Sequence, residues 1–261
     1  FYGKRLKIHS TIDPDHPNAA GTAIVLNYDL VNTEQVKTHI VIPGRAICIT
    51  IPHYANKTLT ILGIYAPNEN MTVNREFWEQ LTDAWLKLNL PVVDMILGDY
   101  NVVEEPADRS NNRSDNQAAV EALVNFKSLF RVKDRWRATY PTDRKYTYTH
   151  HGPNNTITKS RLDRIYVSEG LQQSCRHWKI TDDFIDLTDH NMVSVVINTP
   201  GTPYHGRRRY TMNLASLENP KLISEFVKIG HEMAEDQARS SGRTRTQGYN
   251  PQMFLQEFNE K

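Results

Sequence analysis

Pro91-Val92-Val93-Asp94-Met95-Ile96-Leu97-Gly98-Asp99-Tyr100-Asn101 is the stretch on which the reading of this chain turns. The apolar run 92–97 reads as a buried strand. It stops at a glycine, and a carboxylate and an amide follow two residues apart. Gly-Asp is ordinary turn chemistry, so Asp99 taken singly simply ends a strand. A carboxylate and an amide at the mouth of a buried strand are also how a site is mounted on a rigid sheet. What the other strand ends carry decides between the two.

Upstream, residues 21–26 read as a buried strand. Residues 45–51 and 59–65 are β-rich runs separated by Pro52 and Asn56-Lys57, which predicts two antiparallel strands joined by a short loop. The second run ends in Tyr65-Ala66-Pro67-Asn68. Asn74 is positioned to cap a helix carrying Phe77, Trp78, Leu81, Trp85 and Leu88 at helical spacing. Asp115 is positioned to cap another, with Val120, Leu123, Val124 and Phe126 facing inward.

Beyond residue 131 the texture changes to short strand-like pieces: 146–149, 162–167, 175–180 and 192–197. Loops such as Gly152-Pro153-Asn154-Asn155 separate them. Strands in both halves with helices between them predict a mixed α/β domain over 1–200. Residues 200–203 read as its boundary. The remainder, 201–261, reads as a basic linker with Arg207-Arg208-Arg209, a helix over about 219–235, and a polar, loosely ordered end from 236. A charge run of this kind is commonly a solvated stretch; against DNA it would contact phosphates without sequence preference.

Composition narrows the class. The chain has 261 residues, 39% of them hydrophobic, and a net charge of +1. It is long enough to bury a sizeable core. Its balanced charge excludes a whole-protein attraction to nucleic acid, so any such binding needs a local patch. Cys48 and Cys175 alone make no disulfide framework and suit a reducing, intracellular compartment. No apolar run approaches the length of a membrane span, no membrane partner is expected, and no segment reads as a signal peptide.

Four strand ends share one chemical theme: Tyr65 to Asn68, Gly98 to Asn101, Arg161-Leu162-Asp163-Arg164, and Thr188-Asp189-His190. Asp163 inside a β-like run needs a buried partner, for which Arg161 or Arg164 is available. Hydrolysis of a phosphodiester needs an activated water, positive charge on the phosphoryl oxygens and leaving-group stabilisation. Carboxylates suit Mg²⁺. A histidine held by a carboxylate is more often cationic, and asparagine amides donate to phosphate oxygens. All of these parts are present. Tyr146 and Tyr148, beside His150 and His151, either line a DNA groove or pack as ordinary strand residues.

In this order, YAPN, GDYN, LDRIYVS and TDH resemble the signature of the endonuclease/exonuclease/phosphatase superfamily, with Tyr100 for the usual Phe and Thr188 for the usual Ser. Asp134-Arg135-Trp136-Arg137, Pro141 and Tyr146-Thr147-Tyr148-Thr149 resemble one branch, the apurinic-type endonuclease of non-LTR retrotransposon polyproteins. Gly206-Arg207-Arg208-Arg209-Tyr210-Thr211-Met212-Asn213 resembles the linker leading toward a reverse transcriptase there. The resemblance spans roughly 20–235. It implies a four-layer α/β sandwich of two mostly antiparallel sheets with outer helices. It also implies a Mg²⁺-dependent endonuclease (Mn²⁺ as substitute), DNA as substrate, a reverse transcriptase as partner and a nuclear site of action.

The resemblance also implies roles. Asp99 positions or deprotonates the attacking water; Asn101 binds the scissile phosphate and orients Asp99; Tyr65 hydrogen-bonds the phosphate. Asn68 supports the loop, and Thr147 sits near the DNA-facing loop. Asp189 is a metal ligand. His190 stabilises developing charge with Asp163 holding its imidazole. The family's Glu, in a Gln-Glu-Thr-like motif and the principal Mg²⁺ ligand, has no counterpart before Gly21. The expectation is therefore a domain lacking its N-terminal strands, with a weakened metal site and weak activity. Two other expectations stand beside it: a phosphatase of small phosphoesters, and an inactive nucleic-acid-binding remnant.

Overall fold

The computed structural model describes residues 5–18, 20–53, 56–181, 188–198 and 220–240. The run 201–219, with its three arginines, and residues 241–261 lie outside them. The chain divides into two compact units, Phe1–Thr202 and Pro203–Lys261. In the second, the helix Pro220–Ser240 continues five residues past the expected end at 235, so 236–240 is helical rather than loosely ordered.

The first unit is mixed α/β. Strands β1 (Leu6–Ile12) and β2 (Gly21–Asn27) form an antiparallel hairpin. Next come β3 (Lys37–Ile42), β4 (Ala46–Pro52), β5 (Thr58–Tyr65), α1 (Met71–Leu88), β6 (Met95–Asp99) and α2 (Gln117–Phe130). Then follow β7 (Val132–Asp134), α3 (Arg135–Thr139), β8 (Tyr148–His151), β9 (Ile157–Ser160), β10 (Asp163–Ser168), β11 (Cys175–Thr181) and β12 (Met192–Ile197). Six strands make one sheet in the order β3-β4-β5-β6-β10-β7; β8-β9 and β11-β12 are separate pairs. Only β5 and β6 run parallel in the large sheet, and α1 makes their crossover, as a parallel pair requires.

Alternation along β4 shows how the sheet is clothed. Ala46 and Cys48 face a core built with Trp78, Leu81 and Trp85 of α1 and Leu123, Phe126 and Phe130 of α2. Ile47, Ile49 and Ile51 face the other way, onto Ile24 and Leu26 of β2 and Trp178 of β11. Successive side chains of a strand point to opposite faces, so a strand apolar at both parities is covered on both. Both cysteines are buried and free.

Several expectations need correction. β1 precedes what was read as the first strand. It was illegible because its alternating apolar residues Ile8 and Ile12 face outward while Thr11 is buried. The cap of α1 is Asn70, whose side chain accepts from the Thr72 and Val73 amides; Asn74 lies one turn inside. The cap of α2 is Asn116 rather than Asp115. Asp115 instead pairs with Arg109 at 2.7 Å and accepts from the Val103 amide. Leu88 and Val124 are exposed, not inward. The central strand begins at Met95 rather than 92, after Asp94 has turned its carboxylate onto the Thr60 amide at 2.8 Å.

Candidate active site

Strand register assembles the site. In the parallel pair Tyr65 stands beside Asp99, and in the antiparallel pair Asp163 stands opposite Asp99. Three residues far apart in the chain thus share one row across β5, β6 and β10. Gly98 makes that row possible. Its φ is +143°, and a Cβ there would lie 1.9 Å from the Ile64 carbonyl oxygen. Only glycine allows so close an approach of the two backbones.

His190 arrives from the far side. Its Nδ1 lies 2.8 Å from Asp163 Oδ2, and its backbone bridges to Tyr148, whose ring is 4.8 Å away between centroids. Thr147, expected near a DNA-facing loop, is fully buried. Its hydroxyl accepts from the amides of Leu162 and Asp163, each at 2.9 Å. It cannot reach substrate; it holds the backbone of Asp163.

The loops after β5 and β6 are tied together. The Ala66 amide donates to the Asp99 carbonyl at 2.8 Å, and the Asn101 side chain donates to the Ala66 carbonyl at 2.8 Å. Asn101 itself is left-handed, φ 49°, which asparagine tolerates, and its amide donates to Asp99 Oδ1 at 2.9 Å. Asn68 is exposed. The polar group that supports the loop from behind is the buried Asn74, donating to the Pro67 and Tyr100 carbonyls at 3.0 Å each. Asn101 and Tyr148 also border a cleft of about 530 Å³ lined by Arg109, Arg113, Asn116 and His150.

A sequence model described as Endonuclease/Exonuclease/phosphatase family matches residues 2–190. The chain belongs to that family. The match begins earlier than the resemblance drawn from the motifs and takes in β1, and it ends at His190. No curated protein sequence matches. Among solved structures, the fold is shared with AP endonuclease LMAP from Leishmania major (15% identity, 75% of this chain, 71% of that one, TM-score 0.61). It is shared with the endonuclease domain of TRAS1, a telomere-specific non-LTR retrotransposon (13%, 74%, 80%, 0.54). The 3′ phosphatase NExo from Neisseria, solved bound to a product DNA hairpin, is a third (16%, 74%, 89%, 0.56).

This Endonuclease/Exonuclease/phosphatase site is short of positive charge where its carboxylates meet. Burial above all, and then Asp163, push the Asp99 carboxyl up to about 6; the Asn101 amide, His190 and Arg164 pull only partly back. Ligand atoms of Asp99, Asp163 and His190 lie within 4.8 Å of one another. His190 Nδ1 is committed to Asp163, and with the ring protonated, as that carboxylate favours, Nε2 has no lone pair to give, which leaves hard carboxylate oxygens as the free donors. Those fit Mg²⁺, which takes one or two carboxylates and keeps its remaining waters. Asp189, the expected ligand, is exposed and outside this group.

The arginines do not serve Asp163. Arg161 grips the fully buried Asp108 in two-pronged fashion at 2.8 and 2.9 Å and meets Asp134 at 2.7 Å. Arg164, wholly buried, lies 3.9 Å from Asp108 and donates to the Val102 carbonyl at 2.6 Å and the Tyr166 hydroxyl at 3.1 Å. Asp108 received no role in the sequence, because its partners Arg137, at 2.6 Å, and Arg161 stand 29 and 53 residues away. Asp163 faces the opposite side of its strand from Arg164, toward His190.

Proposed function

We propose that this chain is a Mg²⁺-dependent phosphodiesterase that nicks DNA, as the endonuclease of a non-LTR retrotransposon does. The reading rests on the convergence of Asp99, Asp163 and His190 at one end of the sheet, beside Tyr65 and Asn101. Asp99, with an elevated proton affinity, takes a proton from the attacking water. The Asn101 amide fixes the rotamer of Asp99, and the Tyr65 hydroxyl and Asn101 meet the scissile phosphate. His190, kept cationic by Asp163, stabilises the charge that develops on the phosphoryl oxygens. Mg²⁺, when held by Asp99 and Asp163, supplies further positive charge there.

DNA as substrate is supported by the retrotransposon-like segments around Trp136 and Tyr148, and by the DNA on which NExo was solved. A reverse transcriptase encoded in the same polyprotein, action in the nucleus and the full four-layer sandwich belong to the same reading. No described helix is long and apolar enough to cross a membrane. The test is nicking of supercoiled plasmid with Mg²⁺. Conversion to open circle by the wild-type chain, lost in Asp99→Ala and in His190→Ala, is expected; equal nicking by either variant refutes the assignment.

A phosphatase is the second reading, favoured by the fold shared with NExo, a 3′ phosphatase. Phosphate release from a 3′-phosphorylated oligonucleotide or a small phosphomonoester, without plasmid nicking, selects it. Retention of DNA without either reaction selects a binding remnant.

A further inference from the structure

We infer that Asn74 is a positioning residue for the reaction, setting the relative placement of the two loops that carry Tyr65 and Asp99. The inference rests on the phosphodiesterase reading for its catalytic consequence and on geometry alone for its structural one. Asn74 lies in the second turn of α1 with none of its surface exposed. Its amide nitrogen donates to the Pro67 carbonyl and to the Tyr100 carbonyl, each at 3.0 Å, and its oxygen accepts from Trp78 Nε1 at 2.9 Å. Both amide protons are used and both are spent on loops rather than on the helix. An asparagine has little reason to sit in a helix interior, where its propensity is poor, unless those bonds are needed.

The two carbonyls it holds are well chosen. Pro67 follows Tyr65 by two residues, and Tyr100 stands between Asp99 and Asn101. Tyr100 is also held from the other side, its amide donating to the Leu162 carbonyl at 3.0 Å. Its peptide units are thus pinned between α1 and the segment that leads into Asp163. Without Asn74 the two loops keep the bonds between Ala66 and Asp99 or Asn101, the bond from Tyr100 to Leu162 and the stacking of Trp78 on Tyr100, but among the described residues no other donor of α1 reaches the Pro67 or Tyr100 carbonyl. Displacements near 1 Å are costly to a reaction that depends on in-line geometry. Trp78 reaches the second loop by its own ring, stacked on Tyr100 with centroids 5.6 Å apart, so the test leaves Trp78 intact and takes as its control Thr82, whose hydroxyl donates to the Trp78 carbonyl within α1 at 2.8 Å.

The experiment compares Asn74→Ala and Thr82→Val in the full chain, by plasmid nicking with Mg²⁺ and by hydrogen–deuterium exchange of the backbone. Asn74→Ala is expected to lower kcat on the order of 10- to 100-fold with KM within about twofold. Exchange should be faster over 66–70 and 99–103, whereas Thr82→Val, which loses a hydrogen bond made within α1, should stay near wild type in both. Nicking by Asn74→Ala within about twofold of wild type, or a parallel loss in Thr82→Val, overturns the inference. If Asn74→Ala does not fold, Asn74→Asp, which keeps the shape and the acceptor for Trp78, is judged by the same limits. If the wild-type chain does not nick, the phosphodiesterase reading fails on its own. The exchange data then decide about Asn74: unchanged protection in both loops refutes it.

Discussion

His190 Nδ1 stands 2.8 Å from Asp163 Oδ2, and Asp163 faces Asp99 across two hydrogen-bonded strands. The imidazole proton affinity is raised chiefly by that hydrogen bond, against the opposing effect of burial, with Asp163, Asp99 and Asp189 adding their fields. His190 should therefore titrate above about 6.5, the value of a free imidazole. The pair stabilises the fold most below that pH, and its contribution disappears as pH rises through the higher folded value. Asp163→Asn should bring the titration of His190 down, which NMR of the ring protons measures. An unchanged midpoint rejects the coupling.

Asp99 is ionised at a cost. With its carboxyl pushed to about 6 by burial and by Asp163, the folded chain binds a proton more tightly than the unfolded one. Stability in chelator should then rise as pH falls from about 6 toward 4. Asp99→Asn should be more stable than wild type at pH 7.5 by roughly 3 kcal/mol. Thermal melts in chelator test this; an equal or lower Tm for the variant contradicts it. By the same logic Mg²⁺ affinity should weaken as pH falls through about 6, which titration calorimetry reads directly.

Thr147→Val keeps shape and removes one oxygen. The amides of Leu162 and Asp163 lose their acceptor inside the protein, a loss of roughly 2–4 kcal/mol. Thr147→Ser should restore most of it. Urea denaturation of the two variants is the measurement, and equal midpoints for Val and Ser would show that the hydroxyl is idle.

Asp108 should govern acid stability. Burial opposes its ionisation, but Arg164 and Arg161 outweigh it, and the carboxyl lies below its ordinary range. Its stabilisation is present above about pH 4 and is lost as pH falls through the depressed value. Asp108→Ala leaves Arg161 and Arg137 without their shared anion and should cost about 3–5 kcal/mol at neutral pH. Chemical denaturation at pH 7 and at pH 3 should show that difference shrinking on acidification.

What the sequence by itself determined is which polar groups the strand ends carry. Tyr65, Asp99, Asn101, Asp163 and His190 are legible because each sits in a short motif at a strand end, and a motif is a property of adjacent residues. The mixed α/β class and the strands around 45–65 and 192–197 follow likewise from local periodicity. The tertiary structure alone decided which groups meet. Arg161 and Arg164 lie next to Asp163 in the chain yet serve Asp108. Thr147 looks like a groove residue and is buried. Asn74 looks like a cap and is an internal tie, because Asn70, four residues earlier, already caps the helix. Hydrogen bonds and ion pairs depend on distance in space, and strand register and helix crossover bring together residues tens of positions apart. No local pattern records that distance.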